Sequence, residues 1–320
     1  MSIDLQALVA QLKTSGGIQH KQDIQRVANK LREAWPNPFP NGDDSALIPD
    51  GENFKLLAME GFINRFVEAD PWFAGWCGVM VNLSDIAAMG GRPIAVVNAL
   101  WDATIPHAEQ ILQGMAAASH AWRVPVVGGH TNLRSAQAQL AVAILGETRH
   151  PLSSFSVRPG QTVMAAINLN GRWHPPGLNW DAATQAEPAH LRRAWALLPT
   201  LAEDTLIHAA KDISQAGLAG TLVMMLESAG IGAEIDVESI PRPDGVGFDD
   251  WLCAFPSFGF LMAVDDANIE TVRQQFTACG ITAAAIGRFI PERQLYLQYQ
   301  AQRACYWDLE TQPLTGMTAL

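Results

Sequence analysis

Several acidic residues stand at points of the sequence where metal or phosphate chemistry could take place. Asp43 and Asp44 occur in NGDDSALI, residues 41–48, where a polar turn leads into an apolar strand. Two adjacent carboxylates at such a junction can bind a hard cation such as Mg²⁺, which takes oxygen ligands from carboxylates, phosphate and water. The alternative is a surface turn, for which Asn, Gly and Asp are typical residues.

Another carboxylate, Asp85, lies in the apolar stretch VNLSDIAAMGG. On a helix, Asn82 and Asp85 are three residues apart and share a face. Burying an isolated carboxylate is costly unless it is paired or bound to a metal. The stretch therefore favours a functional role for Asp85, with an ion pair to Arg92 as the alternative.

A pair of glycines follows a short apolar strand in VPVVGGHTN. Gly128 and Gly129 would let the backbone approach a ligand, and His130 and Thr131 after them could donate to phosphate. The segment has neither the GK[ST] ending of a Walker A loop nor the spacing of a dinucleotide-binding fingerprint. Taken alone, it predicts a turn and only weakly a phosphate site.

The last acidic segment is KDISQAGLAGTLVMMLESAG, residues 211–230, in which Asp212 and Ser214 precede an apolar helix. Asp and Ser are the residues expected at a helix N-cap. Gly217 and Gly220 at the start of the helix leave room for a ligand or for a closely packed neighbour. Capping and ligand binding are both compatible with this segment.

The elements that must position these residues alternate between short β-rich runs and longer helical runs, which is typical of a mixed α/β chain. The segment HPLSSFSVRPGQ is rich in Pro and Ser and predicts a domain boundary, with one domain at 1–153 and another at 154–320. In the first domain the patterns predict helices at 72–89 and 107–123 and strands at Ile94–Leu100, Pro125–Val127 and Gln139–Gly146.

In the second domain the patterns predict a strand at Thr162–Ile167, helices near 188–210, 217–229 and 267–278, and further strands near 233–237, 257–264 and 281–290. Between them, GRWHPPGLNW at 171–180 follows neither the helix period nor the strand period. We interpret it as a surface loop, with a lid over a pocket as the alternative.

Composition restricts the possible partners. The formal net charge is −11 and there is no run of Lys or Arg, so DNA and RNA are not expected to bind. A bound triphosphate would need metal ions, because carboxylates alone repel phosphate. The four cysteines form no CxxC pair, and no window reaches the roughly 18 apolar residues of a membrane span. We therefore expect a cytoplasmic protein with buried thiols and no membrane contact.

In this order, the four segments resemble the PurM-like superfamily, which includes aminoimidazole ribonucleotide synthetase, thiamine-monophosphate kinase, selenophosphate synthetase and the hydrogenase maturation factor HypE. NGDDSALI is similar to the early acidic strand motif, and VNLSDIAAMGGRP is similar to the most specific segment. GGHT and DISQAGLAG are similar to the glycine turn and to the later Asp-containing helix start. The resemblance spans nearly the whole chain.

The resemblance implies two α/β domains, a homodimer in which the N-terminal domains pair through their sheets, and ATP held with Mg²⁺ in a cleft. Asp85 and Asp212 would be the catalytic carboxylates. Carried over by motif, the metal ligands would be Asp43, Asp44, Asp85 and Asp212, and the nucleotide would be bound by Asn82, Gly128, Gly129, His130 and Thr131.

Several positions depart from the family pattern. Many members carry an Asp near the end of the strand after the first motif, where KLLAMEGFINRF leaves Glu60 as the nearest metal ligand. His130 stands where thiamine-monophosphate kinases have an acidic residue, and Gln215 replaces the second Asp of their DISDGL motif. The N-terminal SGGIQHK keeps Lys21, which is compatible with a segment over the triphosphate or with an N-terminus without such a role.

The sequence therefore predicts an ATP- and Mg²⁺-dependent enzyme that phosphorylates or activates a small-molecule metabolite. One alternative is thiamine-monophosphate kinase itself, against which His130 and Gln215 count. The others are a nucleotide-binding subunit without turnover and a scaffold whose site has decayed.

Overall fold

The computed structural model describes residues 3–27, 30 and 39–318 and contains two large sheets. The described chain begins with helices α1 (Leu5–Lys13) and α2 (Gly16–Gln22). The first sheet has the order β1-β2-β5-β3-β4, and all its pairs are antiparallel except β3 with β4. Its strands are β1 Ala46–Asp50, β2 Asn53–Phe62, β3 Arg92–Trp101, β4 Val126–Asn132 and β5 Gln139–Thr148.

Helices α3 (Asn64–Ala69), α4 (Pro71–Ala88) and α5 (Ile105–Trp122) accompany this sheet. Helix α4 starts where the Asp70 carboxylate accepts a hydrogen bond from the Phe73 amide, with Pro71 in the first turn. It ends before Gly90, whose φ of 68° is a left-handed conformation that glycine adopts without steric cost.

Helix α4 is apolar around its whole circumference, as expected for a helix that is covered on opposite faces. It contacts β2 and β5 of the first sheet, and it also contacts β9 of the second sheet. Almost all of its residues from Phe73 to Ala88 are buried. The helix therefore lies between the two sheets and joins them.

The first sheet leaves its other face open. Leu57, Met59, Val97 and Leu145 are 46%, 65%, 42% and 37% exposed, and Leu57 pairs directly with Leu145. Their neighbours along each strand point to the opposite face and pack against the helices. Among the described elements, none covers this apolar face.

The second sheet has the order β14-β13-β10-β12-β6-β11-β9, and a separate hairpin is formed by β7 and β8. The helices that follow in the chain are α6 Pro188–Glu203, α7 Gly217–Ala229, α8 Phe248–Trp251 and α9 Ile269–Ala278. The strands are β6 Thr162–Ile167, β7 Arg172–His174, β8 Asn179–Asp181, β9 Ala209–Asp212, β10 Gly232–Asp236, β11 Gly259–Val264, β12 Thr282–Ile290, β13 Gln294–Tyr299 and β14 Gln302–Asp308.

This architecture confirms the predicted mixed α/β fold with two sheet-containing domains. Several of the individual helices and strands differ from their predictions. The helix predicted at 188–210 ends at Glu203, and the buried residues Ala209–Asp212 pair with β11 as a strand. Segment 171–180 is largely a hairpin, because Trp173 pairs with Trp180. The sequence also missed β13 and β14, and Gly128 and Gly129 lie inside β4 and not in a turn.

The N-terminal segment packs with the second sheet, although the sequence placed it in the first domain, 1–153. Leu5, Leu8 and Leu12 of α1 belong to the core around the second sheet. The Leu5 amide donates to Oε1 of Gln302 at 3.0 Å, and the amide of that side chain donates to the carbonyl of Ile3 at 3.0 Å. Sequence order and packing therefore differ at the start of the chain.

Two further expectations concern thiols and membranes. Cys77 is buried, Cys253 and Cys279 are half-buried, and Cys305 is exposed, so only one of the four described free thiols is fully buried as expected. Within the described residues, no helix has the length and apolar character needed to cross a membrane.

Candidate metal centre

Three carboxylates from distant parts of the chain converge between the sheets. Asp44, Asp85 and Asp212 each offer an oxygen, and these oxygens lie within 4.8 Å of one another. Asp44 lies just before β1, Asp85 is in α4, and Asp212 ends β9. They meet because α4 packs against β9 and because the Asp212 amide donates to Oδ2 of Asp44 at 3.1 Å.

The cluster lines a cavity of about 300 Å³ between the domains. Glu60 at the end of β2 and Lys21 of α2 also line it, as does Gln215. The structure thus brings Lys21 and Glu60 to the same cavity as the three aspartates, as the sequence predicted for a common site. The roles of these residues as ligands stay predictions.

Lys211 is a cation in direct contact with the cluster, and the sequence analysis missed it. It is 4% exposed, forms an ion pair with Asp44, and donates to the Gly42 carbonyl at 3.3 Å. Burial alone would lower the pKa of Lys211, but the charges of Asp44 and Asp43 outweigh burial and raise it. This lysine therefore stays charged and offsets part of the negative charge.

The carboxylates outnumber the cations at this point. Burial is the largest cause that raises the pKa of Asp85 well above its ordinary value, and the charge of Asp212 adds to it. Burial likewise raises the pKa of Asp212, followed by the charge of Asp44, and burial raises the pKa of Glu60 although Lys21 opposes it. A divalent cation in this cluster would favour the charged forms of these carboxylates.

The donor chemistry fits a hard cation. Among the described residues, Oδ2 of Asp85 is buried and has no hydrogen-bond partner, although buried carboxylate oxygens are normally paired. The Ser257 hydroxyl donates to Oδ2 of Asp212 at 3.4 Å, a long contact. All the converging ligand atoms are oxygens, which suit Mg²⁺ or Ca²⁺ better than Zn²⁺. Arg92, the alternative partner of Asp85, instead pairs with Glu203 at 2.9 Å.

The neighbouring residues Asp43 and Asp44 make different contacts. The Ser153 hydroxyl donates to Oδ2 of Asp43 at 2.6 Å, and the Ser154 amide donates to its Oδ1 at 2.8 Å. Burial raises the pKa of Asp43, while Lys211 lowers it. Asp43 therefore fixes the loop to the start of the second domain, and Asp44 is the member of the pair that joins the cluster.

Asn82 is fully buried, but it is not among the described residues that line the cavity. Its amide donates to the Gly78 carbonyl at 2.8 Å, one turn back along α4. Cys77 and Val81 line the cavity with Asp85, because residues four apart share a helix face. The expected shared face of Asn82 and Asp85 therefore does not place both side chains in the cavity.

The GGHT segment lies elsewhere in the described chain. Gly128, Gly129, His130 and Thr131 are exposed on β4, an edge strand of the first sheet. The His130 ring centroid is 5.8 Å from that of Trp101, and none of the four lines the described cavity. Within one chain, these four residues therefore lie away from the carboxylate cluster that they were predicted to join in binding phosphate.

Glu227 is a second residue that the sequence missed. It is 1% exposed in α7, and its carboxylate accepts hydrogen bonds from the amides of Leu314, Thr315 and Gly316 and from the Thr315 hydroxyl, at 2.6–3.1 Å. Thr315 and Met317 line the cavity. A buried acid in the apolar run LVMMLESAG is the signal that identified Asp85, so the same reasoning would have found Glu227.

Glu227 also supports, indirectly, the loop that carries Asp43 and Asp44. A Cβ at Gly42 would lie 2.7 Å from the Ser228 hydroxyl and 3.4 Å from Cβ of Met317, so segment 314–317 packs closely behind the loop. Gly42 directly precedes the two aspartates and has a φ of 148°. The contacts link Glu227, through the C-terminal segment, to the position of Asp44.

The fold and the carboxylate cleft define a two-domain α/β protein of the PurM-like kind. Among solved structures, T. maritima PurL complexed with ATP matches with a TM-score of 0.70 at 18% identity, over 87% of this chain and 46% of that one. AaThiL complexed with AMPPCP and TMP matches with a TM-score of 0.66 at 17% identity, over 88% and 96% of the two chains. At these identities the likeness concerns the fold.

The chain belongs to the AIR synthase related protein family. The family's N-terminal domain model matches residues 42–148, and its C-terminal domain model matches residues 163–300. The uncharacterized protein sll0787 of Synechocystis sp. is 44% identical over 315 residues, which is 97% of this chain and 98% of that protein. The resemblance inferred from the four motifs is thereby confirmed at the level of the superfamily.

Proposed function

We propose that the protein binds ATP with Mg²⁺ in the cavity between the domains and uses it to phosphorylate or activate a small-molecule metabolite. The observation that carries this proposal is the convergence of Asp44, Asp85 and Asp212, with an unpaired buried oxygen on Asp85. The similarity in fold to PurL and ThiL, which were solved with ATP and AMPPCP, supports the choice of nucleotide.

The residues of the cavity and its loop would have distinct roles. Asp44, Asp85 and Asp212 would hold Mg²⁺, with Glu60 as a further carboxylate on the wall of the cavity. The ion would neutralise phosphate charge that the carboxylates otherwise repel. Lys21 would contact the phosphates from α2, and Asp43 would keep the loop in position through Ser153 and Ser154.

The open face of the first sheet supports the proposed homodimer. Large apolar side chains such as Met59, at 65% exposure, are uncommon in such number on one uncovered surface. A second copy placed face to face would bury them, as the family resemblance implies. In such a dimer the GGHT segment on edge strand β4 would lie close to the partner subunit.

The direct test is calorimetric titration of the full chain with AMPPCP, with and without Mg²⁺. We expect binding that needs Mg²⁺ and that is lost in Asp85→Asn, with release of ADP from ATP only when an acceptor is present. Failure of the native protein to bind AMPPCP with Mg²⁺ would overturn the proposal and leave a scaffold.

A nucleotide-binding subunit without turnover is the second candidate, and the observation that favours it is Gln215. This residue lines the cavity at the position where the thiamine-monophosphate kinase motif has a second Asp. Under this candidate AMPPCP binds with Mg²⁺, yet ATP is not consumed with any acceptor, and Gln215→Asp increases metal affinity. Product analysis with thiamine monophosphate tests the kinase alternative in the same experiment.

A further inference from the structure

The cavity continues from the carboxylates into an apolar compartment that the proposed metal and phosphates do not use. Phe62, Ile63, Phe66, Cys77, Val81 and Phe255 line it. Phe62 and Phe66 are stacked with ring centroids 6.1 Å apart. We call this part the apolar compartment.

One face of α4 forms the floor of the cavity. Cys77, Val81 and Asp85 follow one another at four-residue intervals and all line it. Eight residues of helix correspond to about 12 Å, so the floor runs about that far from the metal cluster to Cys77. Val81 is the one residue that is not buried in the fully described stretch 73–90.

The β7–β8 hairpin covers the next turn of the same helix face. His174 stacks on Phe73 with ring centroids 3.8 Å apart, and its Nε2 lies 2.9 Å from Oδ2 of Asp70. The chain bridges the two domains at this point, because Asp70 precedes α4 and His174 lies in the second domain. The hairpin therefore ends the apolar compartment beyond Cys77.

The charges around the compartment restrict what enters it. Burial raises the pKa of the Cys77 thiol well above its ordinary value, and the charges of Asp181 and Asp70 add to this. A negatively charged group at this end would be repelled by the same carboxylates. The side chains that line the compartment offer neither an amide nor a hydroxyl, so they do not supply the hydrogen bonds that fix an adenine ring.

We propose that the apolar compartment holds the uncharged apolar body, aromatic or branched aliphatic, of the acceptor that receives the phosphate. This inference rests on the proposed function, and it places the acceptor's hydroxyl or carboxylate oxygen at the Asp85 end. That oxygen bonds to the γ-phosphorus as the bond from γ-phosphorus to the bridging oxygen breaks. ADP leaves with the electron pair, and any proton on the acceptor oxygen passes to solvent.

The nucleotide would then occupy the polar part of the cavity. Ser214, Gln215 and Thr315 also line the cavity and carry the hydroxyl and amide groups that the apolar compartment lacks. Polar recognition of ATP and apolar recognition of the acceptor would thus use different lining residues of the same cavity.

The test uses 3-phenylpropan-1-ol as the apolar probe and glycerol as its polar counterpart, titrated into the full chain with Mg²⁺ and AMPPCP. We expect binding of the phenyl probe and none of glycerol. Val81→Phe fills the floor of the compartment and should weaken probe binding at least about tenfold, since a bulky side chain competes for the same space. AMPPCP affinity should stay within about twofold of native, as its proposed contacts are with other lining residues of the cavity.

Two further variants keep the test decisive. Val81→Thr preserves the side-chain shape but places a hydroxyl group in the compartment, and it should weaken the probe about fourfold even if Val81→Phe does not fold. Leu112→Phe adds a ring at an exposed site on α5, 43% exposed, and should change neither affinity. Glycerol binding as well as the phenyl probe would overturn the inference.

Loss of AMPPCP affinity in Val81→Phe with unchanged probe binding would also overturn it, because the compartment would then hold the adenine ring. The proposed function fails separately, if native protein does not bind AMPPCP with Mg²⁺. In that case probe binding that Val81→Phe removes would still show an apolar ligand compartment.

Discussion

Replacing Asp85 with Asn should separate two effects of the carboxylate cluster: its destabilisation of the folded protein without metal, and its binding of Mg²⁺ with nucleotide. In the protein without metal, burial and Asp212 raise the pKa of Asp85 well above that of the unfolded chain. The folded state therefore binds more protons, and its stability falls as pH rises from about 4 towards the raised pKa. At pH 7 Asp85→Asn should unfold at a higher temperature than native protein, and this difference should vanish at low pH.

The same substitution should remove the stabilisation by ligand. Mg²⁺ with AMPPCP at about 100 times the dissociation constant stabilises a folded state by about 2.7 kcal/mol. For a chain longer than 250 residues, this corresponds to an increase in unfolding temperature of about 5 °C, at about 2 °C per kcal/mol. We expect this increase in native protein and an increase of less than about 1 °C in Asp85→Asn, because the variant lacks the unpaired oxygen.

Asp102→Asn is the matched control, measured by differential scanning fluorimetry at the same pH values. Asp102 is also buried, at 2% exposure, but its oxygens accept from the Ala103 and Thr104 amides and contact Nδ1 of His107 at 2.6 Å. Its replacement should lower the unfolding temperature and leave the ligand-induced increase intact. A full ligand-induced increase in Asp85→Asn, or a less stable metal-free variant at pH 7, would refute the reasoning.

Three further outcomes are expected. Glu227→Gln should lower the free energy of unfolding by about 1–3 kcal/mol, since the buried carboxylate accepts four hydrogen bonds. It should also weaken AMPPCP binding, because the segment behind Gly42 loosens. Unchanged AMPPCP affinity would contradict this second effect. Mg²⁺ affinity by calorimetry should increase with pH, as carboxylates with raised pKa values must lose protons to bind the ion, and a flat profile would contradict this. Leu57→Glu should reduce the mass by light scattering from dimer to monomer, whereas exposed Leu112→Glu should not.

Local pattern was sufficient to predict individual elements in both domains. The apolar run before Gly90 predicted a helix at 72–89, and the structure has it at Pro71–Ala88. The strand Thr162–Ile167 agrees in full with its prediction. Such elements are predictable because their period and their end signals lie within one short segment.

Other elements depended on pairing partners far along the chain. The sequence predicted a helix as far as residue 210, and pairing with β11 instead makes residues 209–212 a strand. By sequence order the N-terminal residues fall in the first domain, 1–153, yet α1 packs in the core around the second sheet. Burial against a distant element overrides both sequence order and local propensity.

For the site, the sequence by itself determined which acids are unusual, because a carboxylate such as Asp85 in an apolar helix must be paired, protonated or bound. Only the tertiary structure decided which acids meet. It separated Asp44 from Asp43, added Lys211, and left the GGHT segment on an open edge. Asp44 and Asp212 are 168 residues apart, and their contact exists because the two sheets pack around α4, which no local pattern encodes.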